Sequence, residues 1–456
     1  MTLSRMKSAT TVAALFAALG LAGTDVGAQT LQETVQKAIS SNPTIGVVTN
    51  NRQAVEQELR QARGLYLPQI DTKLATGPEW TDNASTRARG AGTDRLTRIE
   101  RQVVLQQRVF DGFETDSEVE KQIARSKSAA NRVYESSEFT GLDAVEAHIN
   151  TIRQRRLVTI NEEYLVELRR LLTRVRSRAT GGGGAAADIA QAQSRIDQGT
   201  ATLAETRNGL RDAESMFIRV VGERPGQLAD APYPAQALPA NLDVAIGNAV
   251  AKNPTVAIRD ADIEVGDAEI RLAESRFWPK LNIELSARND RNLDGVSGRD
   301  AEATALLVMR FNLYRGGIDQ ANRREALGRL AQAKSSKQVS VRSAEEEMRR
   351  SWAQLESATE RVQALRSAVQ LNTTVRAAYY QQYELGQRSL LDLLDQEQEV
   401  FVSRGRLLTA EASRSFAAYR MLAVQGQLTA TLGVQLPVEA DASKPAPVPA
   451  DRDWQW

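Results

Sequence analysis

The feature that most restricts the fold of this chain is a tandem repeat. Asn42-Pro43-Thr44 recurs as Asn253-Pro254-Thr255, and Tyr66-Leu67-Pro68 recurs as Phe277-Trp278-Pro279 at the same separation. Farther along, Asp188 matches Asp392 at a slightly smaller separation. The two copies therefore differ in length in one loop, which lies between these two sets of matches. A repeat of this kind predicts two structural units of the same design, which pack against each other.

Each copy contains a very long segment without proline. The second copy has apolar residues spaced by seven at Val341, Met348, Leu355, Val362 and Val369, and the first copy shows the same spacing at Val158, Leu165 and Leu172. Sevenfold spacing predicts packing along a partner helix rather than into a round core. From about Gly317 to Leu385 the segment would form a rod on the order of 100 Å long.

Each copy changes from helical to strand periodicity after a proline, Pro68 or Pro279, and before its long helix. Leu281, Ile283 and Leu285 alternate with polar residues, and Leu307 and Met309 continue the pattern on a returning strand. The first copy repeats this arrangement less regularly. We therefore predict strand hairpins at about 69–110 and about 280–314, with Trp80 near a strand end where interfacial aromatics are common.

The repeat sets the predicted domain organisation. Residues 1–28 have a basic start, an apolar run and small residues before Gln29, which is typical of a signal peptide. The first repeat spans 29–224 with its turn at about 180–187, a proline-rich linker spans 225–241, and the second repeat spans 242–436 with its turn at about 386–389. The proline-rich tail, 437–456, is expected to be disordered.

Composition excludes several classes of protein and modification. The net charge of +1 argues against a nucleic-acid surface, which requires a basic excess. The chain has no cysteine, so neither a disulfide nor a lipid-bearing cysteine is possible. His148 is the only histidine and has no clustered acids beside it, and we find no catalytic constellation. The sequence predicts no enzyme activity, no metal site and no cofactor.

The turn that ends the second long helix carries a cluster of charges. Gly386 fits the left-handed position that ends a helix, and Ser389 with Asp392 fits a capping box that begins the next. Asp392 and Asp395 share a helical face, with Arg388 four residues before Asp392. A helix cap and a solvated turn are the simplest interpretations of these residues.

The number of strands favours an oligomer if the sheet enters a membrane. Two hairpins give four strands, which cannot close a barrel, and an open sheet edge in lipid leaves backbone groups unsatisfied. Bacterial barrels have about eight or more strands. Two, three or four chains would supply about eight, twelve or sixteen.

These features together resemble the TolC family of outer-membrane efflux and secretion ducts, in particular its unlipidated members. The most specific match is the run from Tyr383 through Gly386, Arg388 and Asp392 to Asp395. The resemblance implies a mainly α fold with a membrane β-barrel. In a homotrimer, long antiparallel α-helical hairpins would form an α-barrel, and four strands per chain would form a shared twelve-stranded barrel. It further implies outer-membrane lipid, a periplasmic adaptor and an inner-membrane pump of RND or ABC type as partners.

The resemblance also assigns roles to the tip residues. Asp392 and Asp395 match the acidic ring at the closed entrance, and Tyr383 and Arg388 match the latch that holds the tip shut. Asp188 aligns with the acidic partner of that arginine, and Gly182 lies in the four-glycine run that replaces the usual first-copy turn. We therefore expect the gating residues to be concentrated in the second copy.

Two other functions remain possible from the residues alone. A soluble periplasmic coiled-coil scaffold or adaptor would use the same rods, with the alternating strands packed in a small β-domain. A general uptake porin would use the strands but gives no reason for rods of about 100 Å.

Overall fold

The computed structural model describes residues 28–90, 93–180 and 186–447. The predicted signal peptide, 1–28, lies outside this part except for its last residue. The first copy contains α1 (Leu31–Ser41), α2 (Pro43–Gly64), β1 (Gln69–Thr81), α3 (Ala84–Ala88), β2 (Asp94–Phe110), α4 (Glu114–Thr180) and α5 (Ala186–Val221). The second contains α6 (Leu242–Lys252), α7 (Pro254–Glu274), β3 (Lys280–Arg291), β4 (Arg299–Arg310), α8 (Ile318–Glu384) and α9 (Leu390–Val424), followed by α10 (Leu428–Thr431).

The repeated Asn-Pro pairs begin equivalent helices. The side chains of Asn42 and Asn253 accept hydrogen bonds from backbone N–H groups in the first turns of α2 and α7, and a proline follows each as the first helical residue. This is the preferred chemistry of a helix start, since proline has no N–H to leave unpaired there. The sequence repeat is therefore also a structural repeat.

Helices α4 and α8 are the predicted rods, each 67 residues long. Near the sheet α4 packs against α2 and α7, and towards the tip it packs against α5 and α9. Of the residues spaced by seven in α8, Met348 and Val362 are buried, and Val341, Leu355 and Val369 are half-buried. No helix among the described residues has the length and apolarity needed to cross a membrane.

The four strands form one antiparallel sheet in the order β1-β2-β3-β4. Both hairpins lie where the sequence predicts them, although β4 ends at Arg310 rather than continuing to Leu313. The helices leave the sheet from one end, and the hairpin loops lie at the other. Within the described part of the chain, β1 and β4 are the edge strands and pair on one side only.

The junction between β2 and α4 requires a glycine. Gly112 has φ 71°, and a Cβ there would lie 2.5 Å from the Cβ of Trp278. Around this close approach Phe110, Phe113 and Trp278 make edge-to-face contacts with centroids 5.6 to 6.5 Å apart. The strand can therefore turn into the long helix without displacing the aromatic cluster.

The tail prediction is wrong for residues 437–447. A 3-10 helix forms at Val438–Ala440, Ala446 is buried, and Gln53 donates a hydrogen bond to Glu439 Oε1 at 2.9 Å. Arg52, itself buried, donates to the carbonyl of Lys444 at 3.3 Å. Proline-rich composition suggests disorder only where a segment has nothing to pack against, and here the side of the helical body provides a surface.

The linker is fixed across the middle of the rods by a buried histidine. His148 Nε2 donates to the carbonyl of Ala229 at 2.8 Å, and Nδ1 lies 2.9 Å from the Thr34 hydroxyl. The ring is fully buried, and this burial lowers the pKa of His148, although the Ala229 carbonyl and Asp230 favour the charged form. α1, α4 and the linker are thereby joined at one polar point.

We expect the stability of the protein to fall as the pH is lowered through about 6.5, the ordinary histidine pKa. The lowered pKa means that the unfolded chain binds a proton which the folded chain resists, so the folded state loses stability in acid. His148→Gln should have a lower thermal midpoint near neutral pH but a smaller fall between pH 7.5 and 5.5. Thermal unfolding of the detergent-solubilised protein checks this, and equal pH dependence in both proteins would contradict it.

Candidate tip gate

The turn between α8 and α9 has the predicted geometry. Gly386 has φ 74°, which ends α8, and the Gln387 N–H donates to the carbonyl of Gln382 at 2.9 Å. The Asp392 N–H donates to Ser389 Oγ at 3.2 Å, and the Ser389 N–H and hydroxyl donate to the Asp392 carboxylate. The capping box is confirmed, and it fixes the position of Asp392 at the start of α9.

The guanidinium group of Arg388 contacts residues on either side of this turn. Its Nε donates to Gln382 Oε1 at 3.0 Å, its Nη1 lies 3.9 Å from Asp392 Oδ2, and its Cζ lies 4.0 Å from the ring centroid of Tyr379. All three partners belong to the second copy. Within the chain, Arg388 therefore stabilises the turn rather than joining it to the first copy.

The contacts between the two hairpin tips come from arginines of α4. Arg178 donates to the backbone carbonyl of Tyr383 at 3.2 Å, and its Cζ lies 5.4 Å from the Tyr383 ring centroid. One turn earlier, Arg174 forms an ion pair with Glu384 at 2.9 Å and lies 4.5 Å from the ring centroid of Tyr380. Each arginine thus combines a polar bond with a cation–π contact to the end of α8.

A third arginine joins α5 to α9. Arg195 forms an ion pair with Asp395 Oδ1 at 2.5 Å and donates to Gln398 Oε1 at 2.6 Å. Its side chain is about one quarter exposed, at 23%, so solvent weakens this pair less than it weakens the outermost contacts. One of the two predicted ring carboxylates is therefore neutralised within its own chain.

The concentration of gating residues in the second copy stays a prediction, but the contacts between the two tips within one chain also use side chains of the first copy. Arg174, Arg178 and Arg195 all belong to the first copy, and none was identified from the sequence. A signal was present, because Arg174 and Arg178 are four apart and so share one face of a helix just before its turn. Helical periodicity gives the face but not the aromatic residues that the face meets.

The remaining predicted residues are not brought together. Asp188 lies in the first turn of α5, and the described residues contain no ion pair between it and Arg388. Gly182 lies outside the described residues. The pairing of Asp188 with Arg388 stays a prediction.

An apolar and aromatic cluster lies beneath these charges. Leu165, Leu168, Leu393 and Leu394 are buried together from both copies, and Tyr164 stacks on Phe401 with centroids 4.6 Å apart. Nearby, burial raises the pKa of Glu397, while Arg376, 3.7 Å away, favours its charged form. The tip is thus an apolar joint with a rim of arginine contacts, and such a rim can break and re-form while the joint remains packed.

Comparison with known proteins reveals relatives over nearly the whole chain. A family model described as outer membrane efflux protein matches residues 34–223 and 245–427, which covers both copies. The outer membrane efflux protein BepC of Brucella suis is 24% identical over 94% of this chain and 92% of its own length. The alkaline protease secretion protein AprF of Pseudomonas aeruginosa is 23% identical over 82% of this chain and 79% of its own.

Solved structures share the fold at lower identity. The Campylobacter jejuni CmeC outer membrane channel superimposes with a TM-score of 0.74 at 12% identity. The match covers 87% of this chain and 86% of that one. The arrangement of strand hairpins and long helices is therefore that of known outer membrane channels.

Proposed function

Since the chain belongs to the outer membrane efflux protein family, we propose that it is a passive exit duct of a tripartite export system. The observation that carries this is a sheet with an exposed apolar face at one end of helices about 100 Å long. The sheet would lie in the outer membrane and the helices would extend into the periplasm. Family membership also argues against the main alternative, a soluble periplasmic scaffold or adaptor.

Three chains would together close the β-barrel in the outer membrane. β1 and β4 are edge strands, and in lipid such edges need partners because their backbone groups have no water to bond. Pairing β4 of one chain with β1 of the next gives a closed barrel of twelve strands in a homotrimer. Outer-membrane lipid would then surround the apolar face.

The duct would perform no chemistry of its own. An inner-membrane pump of the RND or ABC type would supply the energy, and a periplasmic adaptor would join it to the helical tip. Docking of these partners would open the rim between the two hairpin tips of each chain while the apolar joint stays packed. For this to happen, the contacts made by Arg174, Arg178 and Arg195 must break.

The carboxylates would act in the closed entrance. With three chains, Asp392 would form a ring of three charges, and a ring of carboxylates around a narrow opening attracts cations. Asp395 contributes less while Arg195 neutralises it. The pairing of Tyr383 and Arg388 with a neighbouring chain, including Asp188, would add contacts between chains to those found within one.

We expect that deleting the gene makes cells more sensitive to toxic small molecules and raises their retention of a fluorescent efflux substrate. Expression of the chain should restore efflux, and a Leu285→Arg variant should not, because a charge on the lipid-facing side costs about 2–4 kcal/mol near the membrane midplane. Dye retention and growth inhibition measure this. Unchanged efflux with loss of a secreted protein would instead favour secretion, the role named in AprF.

A further inference from the structure

The two faces of the sheet carry charge in different ways. The strand registers place even residues of β1 and odd residues of β2, β3 and β4 on one face, which contains exposed Ile70, Leu74, Val103, Leu285 and Leu307. We call this the outward face. The opposite, inward face contains most of the charged residues of the strands.

Most of the charges on the inward face are paired. Lys73 contacts Glu100 at 2.7 Å, Arg288 contacts Glu302 at 2.7 Å, and Arg310 contacts Glu284 at 2.9 Å. Arg288 and Glu302 are also direct register partners on neighbouring strands. Opposite charges in such positions stabilise a sheet.

The outward face has arginines without carboxylates. Arg101, Arg291 and Arg299 are exposed on it, and among the described residues none of the three forms an ion pair. No Asp or Glu occupies an outward position in the four strands. The polar contact found is a hydrogen bond from Arg299 Nε to Asn289 Oδ1 at 3.1 Å.

These three arginines are close neighbours. Arg291 is the direct register partner of Arg299, and Ile99 is the partner of Arg291 on the other side. Arg101 is two residues beyond Ile99, so it is diagonal to Arg291 at about 7–8 Å between Cα atoms. Like charges placed opposite each other destabilise a sheet unless an anion lies between them.

The arginine patch is separated from the helical end of the sheet by about the height of the apolar band of an outer-membrane barrel. Ten residues separate Met309, near the helical end, from Arg299, which is about 34 Å along the strand and about 25 Å along the membrane normal at the usual tilt. An outward apolar band about 25 Å tall is typical of outer-membrane barrels. The patch is at the hairpin-loop end, where Trp80 also lies, with the Cζ of Arg95 5.2 Å from its ring centroid.

We propose that Arg101, Arg291 and Arg299 form a binding site for the phosphate groups of phosphorylated lipids in the outer leaflet. This rests on the proposed function, which places the hairpin loops outside and the helices in the periplasm. Guanidinium groups bind phosphate oxygens through paired hydrogen bonds. A phosphate between Arg291 and Arg299 removes their repulsion and fixes the height of the sheet in the membrane.

The test compares lipid retention by three full-length proteins purified from outer membranes. These are the wild type, the double variant Arg291→Gln/Arg299→Gln, and the control Arg288→Gln, whose arginine is on the inward face at a similar height. Native mass spectrometry measures binding of lipid A with two phosphates, the same lipid without phosphates, and inorganic phosphate. Single-channel conductance of each sample shows whether the duct is intact.

We expect the wild type and Arg288→Gln to retain diphosphorylated lipid A and the double variant to bind it about tenfold more weakly or worse. Equal retention by the double variant, or equal binding of the lipid without phosphates, would overturn the site. Binding of inorganic phosphate as strong as that of the lipid would also overturn it, in favour of a free-phosphate site. Absence of conductance in the wild type would instead contradict the proposed duct.

Discussion

The double variant Arg174→Ala/Arg178→Ala is expected to show a larger single-channel conductance and a higher open fraction than the parent protein in a planar bilayer. Both arginines extend from α4 to the end of α8, where they contact Tyr380, Tyr383 and Glu384. Their removal leaves the apolar joint packed but removes two polar links between the hairpin tips. The closed tip should therefore open more often without its partners.

The size of this effect follows from the contacts. A cation–π contact at an exposed site stabilises by about 0.5–1 kcal/mol, and an exposed ion pair adds about 0–1 kcal/mol. Two exposed cation–π contacts and one exposed ion pair therefore sum to about 1–3 kcal/mol per chain, which corresponds to about a 5- to 150-fold change in an equilibrium. An increase in the open fraction within this range is readily measured.

A matched control is available on the same helix. Arg170 lies one turn before Arg174 and forms its ion pair with Glu167 within α4, at 2.7 Å. Arg170→Ala removes the same charge without touching α8, so its conductance should match the parent. If the double variant also conducts like the parent, the first-copy arginines are not part of the gate.

Sequence periodicity was sufficient for most of the architecture. The Asn-Pro pairs, the sevenfold spacing and the change to a period of two are local patterns. They correspond to the helix starts, the long helices and the strands of the structure. The end of β4 was missed because Phe311 and Leu313 continue the alternation after pairing with β3 has stopped at Arg310. Apolar–polar alternation indicates which face of a sheet a side chain can occupy, but a strand also requires backbone pairing with a neighbouring strand.

The tip was predicted less completely, for a different reason. Gly386 and the Ser389–Asp392 cap depend on neighbours within four residues, so the sequence contains the whole motif. Arg178 meets Tyr383 across 205 positions, and Arg195 meets Asp395 across 200. Such contacts depend on how the two copies dock, which no spacing within one helix specifies. The docked tail was missed for the same reason, since the carbonyl of Lys444 meets Arg52 across the fold.

The absence of cysteine allows the orientation of the protein to be measured directly. Val296 lies in the loop between β3 and β4 with 52% of its surface exposed, and Gln387 is exposed in the turn between α8 and α9. A single cysteine at either position gives one reactive thiol on an otherwise unreactive chain. The two sites are at opposite ends of the molecule.

The most direct test of the duct is labelling of these two variants in whole cells with a maleimide attached to a polymer too large for porins. We predict that Val296→Cys is labelled in intact cells, whereas Gln387→Cys is labelled only after the outer membrane is permeabilised. This result would place one end of the chain outside the cell and the other in the periplasm. Protection of both cysteines until permeabilisation, or labelling of Gln387→Cys in intact cells, would contradict a duct that crosses the outer membrane.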